Sequence, residues 1–264
     1  MLDFTQVLAG PTTARLLAEQ GAEVLRVCAP WRQDPLALHL DTGWGKRFAL
    51  LDLERPGEAD RLRTLLRDAD VLVQSWRPGA LERTGFARHE LARLRPGIIY
   101  VSVSCYGYGG PWRERGGFEP IGQTACGLAI EEGSASAPKL APTGTVNDYL
   151  TAYPAVASVL AALLRRARDG GSYHVQVSLT RTSMFLQELG PLEGAEGTRI
   201  PTPVNFSPWT RSMGCCACRG RSCAIRERRP TGIVRQAHAD STSLPGRAAS
   251  HRVAIDRRGR MSHA

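Results

Sequence analysis

Residues 144–179 read GTVNDYLTAYPAVASVLAALLRRARDGGSYHVQVSL, a stretch that predicts a long helix followed by a strand. Leu150, Tyr153, Ala157, Leu160, Ala161 and Leu164 recur at intervals of three and four, so the expected helix carries an apolar stripe that faces a core. Arg165, Arg166 and Arg168 crowd its last turn, where cations suit the negative end of the helix dipole, and Gly170-Gly171 stop it. In YHVQVSL the residues Tyr173, Val175, Val177 and Leu179 fall on one side, the period-2 pattern of a strand. Asp148 stands at the mouth of the helix, with the strand returning beneath it.

A carboxylate in that place has two readings. Asp is among the preferred N-cap residues and can simply satisfy first-turn N–H groups. It can also act as a nucleophile without a partner base, because with a reference pKa of about 3.9 it is already ionised at neutral pH. The free N–H groups and dipole of a helix start favour the ionised form by roughly 0.3–1 kcal/mol. Local pattern alone does not separate the two.

Upstream, strands and helices alternate. DFTQVL (3–8) predicts a strand, which Ala9-Gly10-Pro11 turn into a helix ended by Gly21. EVLRVC (23–28) is the second strand, residues 29–45 a long loop, and FALLDL (48–53) the third strand. Pro56 opens a helix through Ala59, Leu62, Leu65 and Leu66, DVLVQ (70–74) follows at once, and ARHELARL makes a short helix. IIYVSVS (98–104) is a β-branched run suited to a strand buried on both faces. This order predicts an α/β fold, a Rossmann-like, doubly wound and mostly parallel sheet. CYGYGGPWRERGG (105–117) is expected as a loop at the carboxyl end of a strand, where such sheets bind ligands. Residues 118–130 are expected to return as a short helix and residues 134–142 as a small-residue loop. No GxGxxG follows the first strand, so a nicotinamide cofactor has little support.

Composition narrows the class. The chain has 264 residues, 42% of them apolar, enough for a sizeable core. No apolar run reaches the ~20 residues of a membrane helix and no leader opens the chain, which predicts no membrane association and a cytoplasmic site. The net charge of +9 is confined to residues 201–264, where twelve arginines and no lysine face Glu227, Asp240 and Asp256. Cysteine divides similarly: Cys28, Cys105 and Cys126 are scattered, as in a reducing compartment, while Cys215, Cys216, Cys218 and Cys223 cluster. Their CCxC spacing lacks paired CxxC, so no metal site is expected. Without aromatic interleaving the arginines give nucleic acid little support as a partner.

Seven separated segments together resemble the class III CoA-transferases, the carnitine dehydratase and bile-acid-inducible family. They are DFTQVLAGP, GAEVLRV, GKRFALLDL, ADVLVQSWRPGALERTGF, the GYGGP loop, GFEPIGQTACGL, and NDYLTAY with AALLRRARDGGSYHVQVSL. The resemblance spans residues 2–189 and implies an enzyme that moves coenzyme A from an acyl-CoA to a carboxylic acid. Asp148 is then the nucleophile, passing through an aspartyl mixed anhydride and an aspartyl-CoA thioester, and Glu119 is its catalytic neighbour. Coenzyme A would be a substrate, with no permanently bound cofactor. It would be met by Val7, Leu8 and Ala9 and by Ser75, Trp76, Arg77 and Arg83, whose two guanidiniums suit phosphates.

Several departures qualify what the resemblance implies. Ser75-Trp76 stands where the family often has Asn-Phe, and the usual acid with an ordered GD after the second strand is replaced by Cys28-Ala29-Pro30-Trp31-Arg32. Related racemases carry His-Asp where this chain has Phe118-Glu119, which favours transfer over proton exchange. The expected organisation is residues 1–190 as the N-terminal part of the family's large domain, incomplete relative to it, and residues 191–264 as an irregular basic tail of frame-shifted character. A CoA-binding module without turnover, a truncated remnant, is the rival reading, and an acyl-CoA racemase-like enzyme a second. The family's homodimer is doubtful for so short a chain.

Overall fold

The computed structural model describes residues 1–32, 34–141 and 145–190; the expectations for the basic tail, its cysteines and arginines, lie outside them. Six strands form one sheet: β1 (Leu2–Phe4), β2 (Val24–Cys28), β3 (Lys46–Leu50), β4 (Val71–Gln74), β5 (Ile99–Ser104) and β6 (Tyr173–Ser178). Their order is β3-β2-β1-β4-β5-β6, and every pair is parallel. Parallel neighbours require crossovers, which the helices supply. The expected doubly wound sheet is therefore present, and the strand order reverses between β1 and β4.

Alternate side chains of one strand feed opposite layers. Leu72 packs with Leu2, Phe4 and Tyr100 beneath Leu62 and Leu66 of α3 (Glu58–Arg67) and Leu91 of α5 (Arg88–Leu94). Val71 and Val73 face the other way with Ile99, Val101 and Val103, toward α1 (Ala9–Glu19) and α8 (Val146–Asp169). This is why the β5 segment reads as an unbroken apolar run. Tyr173, Val175 and Val177 of β6 pack against that second layer, and Leu179 lies in it.

The predicted stripe of α8 does not face the core. Ala152, Ala155, Val159 and Ala162 are buried, whereas Tyr153 is 60% and Leu164 74% exposed. The helix has two apolar faces, and α1 lies against the one with small side chains, where backbones approach closely. Pro154 removes one intrahelical bond on the solvent side. Three helices were not anticipated: α2 (Leu36–Thr42) inside the expected 29–45 loop, the single turn α4 (Ala80–Arg83), and α9 (Leu179–Leu189). Leu36 and Leu40 of α2 are exposed, so the helix lacks the apolar face that periodicity detects. The expected 118–130 helix is two, α6 (Glu119–Cys126) and α7 (Leu128–Glu131), divided at Gly127 with φ +87. Among the described residues no helix is long and apolar enough to cross a membrane.

Candidate active site

The turn between β1 and α1 is the centre of the site. Val7 has φ +67 and is, among the described residues, the one non-glycine with positive φ. A β-branched residue held in the left-handed region costs roughly 1–3 kcal/mol and persists only where its surroundings over-determine it. They do so here through the turn's amides. Thr5 N–H donates to Asp3 Oδ1 at 3.1 Å, Gln6 N–H to Ser75 Oγ at 2.9 Å, and Val7 N–H to Asp34 Oδ1 at 2.9 Å. The Ala9 N–H, at the start of α1, bonds to the carboxylate of Asp148. The side chains of Asp3, Ser75, Asp34 and Asp148 thus take four of the turn's N–H donors.

Buried charge pins the same turn. Lys46 Nζ, from β3, reaches Asp3 Oδ2 and the carbonyl oxygen of Pro11 at 2.7 Å each, with both side chains of the ion pair fully buried. Arg26, from β2, pairs with Asp34. Gly10 is required by space: a Cβ there would come within 2.5 Å of Thr5 Cβ.

Asp148 is not the helix cap. Thr145 occupies that position, and Asp148 is the third residue of α8. It is 7% exposed and Glu119 1% exposed, so the expected open carboxylate is a buried one. Burial first, and the negative charge of Glu119 second, push the Asp148 carboxyl up to about 7, while the Ala9 N–H pulls the other way. Asp148 is therefore half protonated near neutral pH, rather than fully ionised as its reference pKa implies.

Glu119 opens α6 and is held from two sides. Its Oε1 accepts from Asn147 N–H at 3.0 Å and from Gln123 Nε2 at 2.6 Å. Gln123 Oε1 in turn accepts from Ala141 N–H at 2.8 Å, and Asn147 Nδ2 donates to Ser183 Oγ at 2.5 Å on α9. Helices α6, α8 and α9 are thereby cross-linked around the two carboxyls. Glu119 Oε2 and Asn147 Oδ1 are buried without a hydrogen-bond partner, which leaves two unused acceptors in this network. Burial first, with Asp148 and Glu119 adding to it, pushes the thiol of Cys105, just after β5, up to about 11, so it stays neutral.

The other expected site residues lie at the β1–α1 turn and along the segment after β4. Val7 is half-buried, and Leu8 and Ala9 are buried. Ser75 holds the turn through Gln6, and the Trp76 ring lies 6.4 Å from that of Phe4, packed on the core. Arg77 and Arg83 are exposed. The Arg77 guanidinium lies over Gly116, where a Cβ would come within 2.9 Å of Nε and Nη2, so the glycine-rich loop folds back over this segment. Asp34 escaped sequence reading because it lies beyond Trp31-Arg32, past the point where the acid was expected; the Asp-Pro pair opening α2 was the available signal. Asn147 and Gln123 lie within family-like motifs, but their partners are remote in the chain, so no local pattern marks them. An open groove between α6 and α9, lined by Cys126, Thr180, Met184 and Gln187, is separate from Asp148.

Comparison with known proteins identifies the family. The profile of CoA-transferase family III matches residues 1–231. An acetyl-coenzyme A transferase from Hypoxylon pulicicidum is 41% identical over 192 residues, covering 70% of this chain and 32% of that protein. A succinyl-CoA--D-citramalate CoA-transferase from Chloroflexus aurantiacus is 32% identical over 200 residues, 71% of this chain and 50% of that protein. The crystal structure of a CAIB/BAIF family protein from Brucella suis superimposes with a TM-score of 0.64 at 25% identity, over 70% of this chain and 53% of that one. This chain thus spans between a third and about half the length of these relatives. With the parallel sheet, the β1–α1 turn and the match to its profile over most of the sequence, the chain belongs to CoA-transferase family III.

Proposed function

We propose that this chain moves coenzyme A from an acyl-CoA to a carboxylic acid with Asp148 as nucleophile. The observation that carries the reading is the buried Asp148 carboxyl, bonded by the Ala9 N–H and pushed up to about 7 by burial and Glu119. An ionised carboxylate in that place is both more basic and poorly solvated. Both raise its nucleophilicity, and acylation discharges it.

In the first step an Asp148 oxygen adds to the thioester carbon, the C–S bond breaks, and CoA leaves as thiolate from a mixed anhydride. The thiolate then attacks the aspartyl carbonyl, forming the aspartyl-CoA thioester and releasing the donor's carboxylate. An acceptor carboxylate attacks that thioester, and the returning thiolate takes the acceptor's acyl group while Asp148 is regenerated. No proton need move and each intermediate remains activated, so the thioester's free energy is kept. Burial first and Glu119 second raise the basicity of Asp148, and the Ala9 N–H orients it.

Residues 7–9, 75–83 and 105–119 frame the nucleotide in this reading. Among the described residues, neither Arg77 nor Arg83 has an ion-pair partner, and unpaired guanidiniums suit phosphates. Incubation with an acyl-CoA followed by hydroxylamine or borohydride should modify Asp148, read by peptide mass spectrometry. A chain that binds CoA while Asp148 stays unmodified refutes the reading. The rival reading is a module that holds CoA or is acylated once without turnover. Repeated transfer by the isolated chain excludes it.

A further inference from the structure

One buried ion pair beside the β1–α1 turn is not used by the proposed chemistry. Arg26 and Asp34 are buried, with side chains 1% and 8% exposed, and neither is one of the motif residues expected to meet substrate. Arg26 is anchored in the sheet by β2, and its Nη1 donates to Thr42 Oγ1 at 3.1 Å; that hydroxyl donates to the Leu38 carbonyl oxygen at 2.8 Å within α2. The guanidinium is thus fixed between strand and helix, and it fixes one oxygen of Asp34. The other oxygen accepts from the N–H of the left-handed Val7. Two residues further on, the Ala9 N–H meets Asp148.

We propose that Asp34, held by Arg26, is a positioning residue for the Asp148 site: its carboxylate keeps Val7 in the left-handed conformation and thereby aims the Ala9 N–H at the nucleophile. A neutral acceptor could hold an unstrained turn. Val7 is strained, so the turn relaxes unless a charge-assisted bond holds it, and such bonds are roughly twice as strong as neutral ones. The pair Lys46–Asp3 secures the opposite flank through Thr5 and Pro11, which leaves the Val7 side dependent on Asp34. This rests on the reading of Asp148 as the reacting group, and its test does not require turnover.

The test follows the titration of the Asp148 side-chain carboxyl by carbon-13 NMR, assigned with Asp148→Asn. Three other ionisable groups surround Asp148, namely Glu119 from α6, Cys105 just after β5 and Tyr149 on its own helix, and the substitutions leave all three in place. Asp34→Asn should move the Asp148 midpoint upward by about one unit as the Ala9 N–H drifts away. Adding Val7→Gly, which removes the strain, should bring the midpoint back. If Asp34→Asn does not fold, the double variant Arg26→Met with Asp34→Leu is read instead. It leaves no orphaned charge, a change that buried ion pairs often tolerate, yet it removes the acceptor for Val7. An Asp148 midpoint unchanged in a folded variant lacking the Asp34 carboxylate overturns the proposal. It can fail while CoA transfer stands, because transfer is measured separately by acyl labelling.

Discussion

Asp148→Asn should stabilise the fold, and by an amount that grows with pH. The folded-state pKa of about 7 lies above the ordinary 3.8, so the folded chain holds this proton more tightly than the unfolded one. The stability linked to the proton is complete below the unfolded pKa and is lost as pH rises toward the folded one. Three units at about 1.36 kcal/mol each give a loss of about 4 kcal/mol by pH 8. Asparagine keeps the shape and can accept from Ala9 N–H, but it never ionises. Urea unfolding of the two chains should therefore give a stability difference that widens by about 2–3 kcal/mol between pH 5 and pH 8. The comparison cancels groups that do not touch Asp148. A difference that stays flat over that range would refute the claim that burial and Glu119 penalise an ionised Asp148.

Two further outcomes test the packing. Ala155→Leu should lose about 1–3 kcal/mol by overfilling the contact of α8 with α1, since Ala155 is fully buried. Leu164→Gln should stay within about 0.5 kcal/mol, because Leu164 is exposed; the opposite ranking in thermal melts would mean that the wrong face of α8 has been placed on the core. Lys46→Met orphans the buried Asp3 carboxylate and should cost about 3–5 kcal/mol, with Asp3→Asn added to Lys46→Met recovering part of it. A loss below about 1 kcal/mol in urea unfolding would show the pair to be dispensable.

The raised carboxyl of Asp148 and the strain at Val7 meet on one short turn, which explains how little of the site is local. Of its four amide partners only Asp3 is local; Ser75, Asp34 and Asp148 come from distant points of the chain. A family profile groups such residues, but only folded geometry says which oxygen accepts from which N–H. Trp76 illustrates the difference: its motif places it beside a nucleotide site, and its ring is packed against Phe4.

From the sequence alone came the alternation of strands and helices, the parallel sheet that alternation demands, the approximate limits of most elements, and Asp148 near the start of a long helix. These are legible because backbone period and turn residues are local properties. Tertiary structure decided which apolar face of α8 is buried, because that depends on how closely α1 approaches, and it revealed α2, which is held by Thr42, Arg26 and Asp34 rather than by an apolar stripe. It also decided the charge state of Asp148. Desolvation and the field of Glu119 act through space, and no spacing along the chain encodes their sum.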